Sequence, residues 1–294
     1  MTRTAALRYV YAVCRPLGAP LQAELTGVAG TPPEQLAHHG LVAVVGSVPE
    51  ADFAEGPLRS HLEDLDWLAA TARAHESVIA ALTTLTSPLP LRLATVFRDD
   101  SGVRAMLEQE GERFRAGLDR LAGRVEWGVK VYTQEPAESE GPGKAEKAGE
   151  PEKAGEAEKA DAVAAAPRAA SGRDYLRRRR AERAAAEETW QRAERFAQVL
   201  HTELSDHAAA ARVHPPQNGE LARATGRNIL NSAYLVDRSA SEEFVERVAD
   251  AEHREPGLRV ELTGPWAGYS FTANEDANEE ADANEEADAG EEVR

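Results

Sequence analysis

The chain has 294 residues, with 51 acidic against 34 basic side chains, a formal net charge of −17 and 42% hydrophobic residues. That length holds two modest domains. A single cysteine, Cys14, excludes an intrachain disulfide. No apolar run reaches the roughly 20 residues that a membrane helix needs, and no signal-peptide pattern opens the chain, so no membrane partner and a cytoplasmic location are expected.

Leu7 to Val13 alternates as a strand, with Tyr9, Tyr11 and Val13 on one face and Val10 and Ala12 on the other. Pro16, Gly18 and Pro20 break it, and Leu21 to Val28 is a weak strand candidate. Leu41 to Val45 reads as a buried strand. Leu58, Leu62, Leu65, Leu68, Ala72, Ile79 and Leu82 recur at helical spacing and predict one helix that stops before Ser87-Pro88. Leu91 to Phe97 is extended. Asp99 or Asp100 caps a second helix with the face Val103, Leu107, Phe114, Leu118 and Leu121, closed by Gly123. Trp127, Val129 and Val131 alternate with Glu126, Gly128 and Lys130 as a strand.

Residues 134–170 change character. The unit EKAGEP repeats from Glu146, Glu152 and Glu158 with small changes, and no strongly apolar residue appears until Val163. Such a segment buries too little to offset its ordering entropy, so it is expected to be disordered. Beyond it, Ser171 and Asp174 resemble a capping box. A long helix to about Ala211 then carries the stripe Tyr175, Trp190, Ala193, Phe196, Ala197, Leu200 and Leu204. Val213 to Pro216 is a short strand candidate and Asn228 to Val236 a stronger one. Ser239 or Ser241 caps a short helix with Phe244, Val245 and Val248. Leu258 to Thr263 is the last strand, which Gly264-Pro265 is expected to end because proline cannot donate to a ladder. The tail from Ala273 repeats NEEADA and is also expected to be disordered. Of the total charge of −17, the tail carries −9 and residues 134–170 carry −4, so the rest carries only −4.

The expected fold is α+β with two α/β domains. An N-terminal domain spans 1–124. A second, built from 125–133 and 171–272, follows the ferredoxin-like (split βαββαβ) order with a long first helix. The insert 134–170 lies between its first strand and first helix, and the tail 273–294 follows it.

No constellation for catalysis survives inspection. His75-Glu76 is followed by Ile79 where a zinc-protease helix needs histidine, and no glycine stands five residues before Gly143-Lys144 as a phosphate loop requires. His38 and His39 are adjacent and would point apart in regular structure. Cys14 lies in a buried-looking strand, as an inert core thiol does. No catalytic, cofactor-binding or metal-binding residue is assigned, and no cofactor is expected. Two features are candidate interaction sites. One is the aromatic group Trp266, Tyr269 and Phe271, which reads first as a lid on a core edge and second as a binding surface. Trp127 and Trp266, on or just after strands, are expected to be structural. The other is the run Arg177, Arg178, Arg179 and Arg180. Four successive positions cover every side of a helix, so nucleic-acid binding is not expected; a solvated turn or a dock for an acidic segment fits better.

Several stretches carry a resemblance. Arg8-Tyr9-Val10-Tyr11-Ala12-Val13, Gly40 to Val45, Leu89-Pro90-Leu91-Arg92-Leu93-Ala94-Thr95-Val96-Phe97, Glu126-Trp127-Gly128-Val129-Lys130-Val131, Gly172 to Leu176, Asn231 to Val236, and Glu261-Leu262-Thr263-Gly264-Pro265-Trp266 with Tyr269-Ser270-Phe271 stand in one order along the chain. Together they resemble the GvpF/GvpL family of gas vesicle proteins, with Leu93-Ala94 where Phe-Gly is usual. The resemblance implies an N-terminal α/β domain and a second helix-rich one. It also implies a non-enzymatic role in gas vesicle assembly or structure, at the vesicle and in the cytoplasm. The implied partners are the hydrophobic shell protein GvpA and other gas vesicle proteins. The alternative reading is a ferredoxin-like module that binds a small regulatory molecule.

Overall fold

The computed structural model describes residues 6–133, 172–216 and 226–272. The segments expected to be disordered, 134–170 and 273–294, lie outside these residues, as does Ser171 of the expected capping box.

The first half is built on a sheet of β1 (Ala6–Cys14), β2 (Glu34–His38), β3 (Leu41–Pro49), β4 (Leu89–Pro90) and β5 (Val96–Phe97). The strand order is β2-β3-β1-β4, with β5 also on β1, and every pairing is antiparallel. β1 is apolar enough to be buried on both faces. Its alternation differs from the expected one because the register slips between Val10 and Ala12, leaving Tyr11 in a bulge. Val10 and Val13 therefore share one core, whereas Tyr9, Tyr11, Ala12 and Cys14 share another. Leu21 to Val28 forms no strand; β2 takes the place beside β3 instead.

The expected single helix around Leu58 to Leu82 is two, α2 (Glu55–Leu62) and α3 (Leu65–Leu85), and a short α1 (Glu50–Phe53) precedes them. Asp64 makes the last break, since its carboxylate accepts from the backbone N–H groups of Asp66 and Trp67 at 3.0 and 3.1 Å and so caps α3. Asp99 caps the next helix in the same way, through Ser101 and Gly102. That helix also divides, at Glu110, into α4 (Asp100–Gln109) and α5 (Gly111–Leu121). Leu91 to Phe97 is not one extended run. It turns at Ala94, at φ 62°, between β4 and β5.

The second half is a sheet of β6 (Arg124–Thr133), β7 (Ala210–Val213), β8 (Asn228–Asp237) and β9 (Leu258–Trp266), in the order β7-β8-β6-β9 and antiparallel throughout. Its helices are α6 (Gly172–Ser205) and α7 (Ser241–Glu252). α6 ends six residues before the expected Ala211, and β7 begins before the expected Val213. α7 has no side-chain cap; Ser241 is its first residue, and its hydroxyl donates to the Asp237 carbonyl. β9 does not stop at Gly264-Pro265. It is an edge strand, so the missing proline N–H leaves no ladder bond unmade, and the pairing resumes at Trp266 opposite Glu126 after a register shift.

Three cores hold these layers. One face of the first sheet packs on α3 and Phe53 of α1. One face of the second sheet, with Trp127, Val129, Val131, Tyr234 and Val236, packs on α6 and α7 through Ala193, Ala197, Leu200, Leu204, Phe244 and Val248. Between them, Val10, Val13 and Ala43 of the first sheet meet Leu107, Phe114, Leu118 and Leu121 of α4 and α5, together with Ala233, Leu235 and Phe271 of the second half. The two halves thus share a continuous apolar core. Cys14 is fully buried, and burial pushes its thiol up to about 12.

Candidate functional site

Of the three candidate aromatics, the structure sends two inward and one outward. Phe271 is buried in the shared core. Tyr269 packs against the first half's core and donates from its hydroxyl to Glu76 Oε2 of α3 at 2.8 Å. Burial raises the Tyr269 hydroxyl well above its ordinary value, and the Glu76 carboxylate beside it adds to this. Trp266, by contrast, keeps 43% of its surface exposed. The expectation that Trp266 is structural is therefore corrected, because β9 is an open edge at this point. Trp127 fits the expectation: it is buried, and its Nε1 donates to Ser241 Oγ at 3.3 Å.

Between Tyr269 and Phe271, Ser270 fastens the turn to the second sheet. Its N–H and hydroxyl donate to the two carboxylate oxygens of Glu126 at 2.8 and 2.7 Å. Its carbonyl accepts from Arg212 Nη1 at 2.7 Å, and His214 Nε2 lies 3.1 Å from its hydroxyl oxygen. Glu126 is on the face of β6 turned away from α6 and α7, where burial raises its carboxyl above the usual range against the opposing pull of Ser270 and Arg212. Arg120 adds a bond from Nη1 to the Phe271 carbonyl at 3.3 Å. The turn 269–271 is thus a clasp that holds α3, α5 and both sheets together. Sequence reasoning found its aromatics but not Glu126, Ser270 or Glu76, because nothing in the spacing of those residues marks them as neighbours.

The glycines beside the clasp serve close approach. A Cβ on Gly128 would meet Thr263 Oγ1 at 2.6 Å, and one on Gly264 would meet the Glu126 carbonyl at 2.8 Å. A buried polar group lies behind the clasp as well. The Tyr9 hydroxyl accepts from the Ala94 N–H at 3.1 Å and sits 3.0 Å from His75 Nδ1. His75 is buried, and desolvation lowers its value to about 4.

The arginine run lies elsewhere. Arg177, Arg179 and Arg180 are exposed on the N-terminal part of α6, whose described residues join the core of the second half from Ala193 onward. The structure does not bring these arginines to the aromatic turn. Other large apolar side chains in solvent include Leu65 at 78%, Val213, Leu176 and Val199. No helix among the described residues is long and apolar enough to cross a membrane.

The sequence matches the family described as gas vesicle synthesis protein GvpL/GvpF over residues 7–273. It is 54% identical to gas vesicle protein L of Streptomyces sp. (strain CB03234) over 275 residues, which covers 93% of this chain and 96% of that one. It is 27% identical to gas vesicle protein F of the same strain over 266 residues, covering 90% and 98%. Among solved structures, GvpF from Anabaena sp. PCC7120 superposes with a TM-score of 0.61 at 17% identity, over 92% of this chain and 97% of that one. GvpF from Microcystis aeruginosa gives 0.59 at 17% identity, over 91% and 99%. The two structural likenesses show a shared α+β fold. The chain belongs to the GvpL/GvpF family of gas vesicle proteins.

Proposed function

We propose that this chain serves gas vesicle assembly by binding the hydrophobic shell protein GvpA and other gas vesicle proteins, as a minor shell component or an assembly chaperone, in the cytoplasm and at the vesicle. In this reading it performs no catalysis and needs no cofactor. A shell protein that polymerises must expose apolar surface and strand edges before it assembles, and both drive aggregation unless covered. The single observation that carries the reading is an exposed aromatic on an open strand edge: Trp266, 43% exposed, at the end of β9, which pairs only with β6 among the described residues. An added strand on β9 would supply backbone hydrogen bonds, and Trp266 an anchor.

In the same reading, residues 1–124 are one domain, and 125–133 with 171–272 are a ferredoxin-like domain. The order β9-β6-β8-β7, with α6 after β6 and α7 after β8, supports that label. The alternative is a small-molecule module in the second half; an open cavity of ≈ 470 Å³ at Arg8, Ser47, Arg98 and Asp100, among the described residues, belongs to the first half instead.

The test is co-precipitation of GvpA with the full chain, the Trp266→Ala variant and a chain lacking 273–294, at low and high salt. Binding is expected to survive tail deletion and high salt, because apolar burial is not screened. It is expected to fall with Trp266→Ala. No capture by the full chain in vesicle-forming cells overturns the reading, and loss only on tail deletion moves the surface to the acidic tail.

A further inference from the structure

At the far end of the first sheet, β2 and β3 are joined by a two-residue turn, His39-Gly40, between the paired residues His38 and Leu41. Both turn residues have positive φ, 47° at His39 and 78° at Gly40. That is the mirror-image turn that suits a hairpin's twist, and it prefers Asn or Asp ahead of Gly. A histidine in the first place is uncommon, and its consequence is geometric. The left-handed backbone swings the His39 ring round to His38, so that the ring centroids are 4.1 Å apart. In a regular strand the two would point to opposite faces, as the sequence alone implies, so that expectation is corrected here.

Glu108 of α4 completes the group. Its Oε2 lies 3.9 Å from His38 Nε2. One ligand atom from each of His38, His39 and Glu108 lies within 4.8 Å of the others. His38 Nε2 is sealed from solvent and has no hydrogen-bond partner. A buried ring nitrogen without a partner is costly, and a cation is one way to satisfy it. His39 and Glu108 are exposed and His38 half-buried, so two of the three donors are free to adjust.

We propose that His38, His39 and Glu108 form a binding site for a divalent transition-metal cation of the zinc type. Two imidazoles and a carboxylate suit zinc, nickel or copper, whereas magnesium and calcium prefer all-oxygen sets. Zinc bonds of about 2.0–2.2 Å place tetrahedral donors roughly 3.4 Å apart, so small side-chain rotations close the site. Three protein donors leave a fourth position for water. Arg115 donates from Nη2 to the His39 carbonyl at 2.9 Å. That bond holds the turn, while its charge opposes the cation and limits affinity. A bound ion ties the β2–β3 hairpin to α4.

The experiment is calorimetric titration of the full chain with zinc chloride, with magnesium chloride as the contrast. It is repeated on Glu108→Gln and on His39→Asn, which keeps a residue suited to the left-handed turn. The expected result is one saturable zinc step, absent with magnesium and weakened at least tenfold in each variant, with zinc raising the melting temperature of the parent chain only. The chain has eight histidines, so zinc held elsewhere would give a step that both variants leave untouched. That outcome, or no saturable step in the parent chain, overturns the proposal.

Discussion

Phe271→Ala and Trp266→Ala separate the clasp from the surface. Phe271 is only 6% exposed and lies in the shared core. Its side chain removes on the order of 165 Å² from water, worth about 4 kcal/mol at roughly 25 cal/mol per Å². This falls inside the range of about 3–5 kcal/mol for Phe→Ala in a core, part of which is the cavity left behind. Trp266 keeps 43% of its surface in water; the rest, about 130 Å² of a side chain of roughly 230 Å², is worth about 2–3 kcal/mol once the compactness of the unfolded chain is allowed for. The assay is urea unfolding followed by far-UV circular dichroism. With a slope of about 3 kcal/mol/M, Phe271→Ala lowers the midpoint by about 1–1.5 M and Trp266→Ala by less, about 0.7–1 M. The binding readout should run the other way, with GvpA capture lost in Trp266→Ala and kept by folded Phe271→Ala. Equal shifts of the two midpoints would refute the division of the turn into clasp and surface. So would loss of capture in Phe271→Ala at unchanged stability.

Three further outcomes are expected. Ala94→Gly should stabilise the fold by about 0.5–1 kcal/mol, because Ala94 sits at φ 62°, a region costly for any residue with a Cβ; the melting temperature should rise by about 2 °C. Acid should weaken the fold through His75. Below 6.5 the unfolded chain binds a proton that folded His75 refuses until about 4, so stability falls as pH drops across that window, by about 3 kcal/mol in all. Glu126 and Glu76, raised by burial, act in the opposite sense where carboxylates titrate; urea midpoints of the parent chain and His75→Leu from pH 7 to 4.5 should therefore converge on acidification. Gly264→Ala should destabilise the edge, since Gly264 has φ 128° and a Cβ there would meet the Glu126 carbonyl at 2.8 Å; an unchanged melting temperature would contradict that contact.

Period and composition made most strands legible, because β1, β3, β6, β8 and β9 each bury apolar residues at strand spacing. What they did not reveal were single-residue events. The bulge at Tyr11 reverses the faces of β1 beyond it, and no alternation pattern announces where a ladder slips. The break at Asp64 sits inside an unbroken leucine stripe, so the stripe reads as one helix although a capping carboxylate divides it. The polar half of the clasp was hidden for another reason. Glu126 and Ser270 are 144 residues apart, and the chain places them together only once β9 lies beside β6.

Four of the stretches that carry the family resemblance meet in space, which bears on what they do. Tyr269-Ser270-Phe271 is clasped by Glu126 of Glu126-Trp127-Gly128, Gly128 lies under Thr263, Gly264 lies over Trp127, and Ala94 holds Tyr9 of the first strand. These blocks are one interlocking set of contacts, and packing alone explains why each residue type stands there. A residue already spent on the clasp is a poor choice for partner contact, since moving it would loosen both halves. Trp266 differs: it stands in a signature block, yet its ring faces water on an open edge. If the signature serves the fold everywhere else, this is the one place in the cluster where a second role is needed to account for an exposed tryptophan, and the proposed function places the shell protein's strand there.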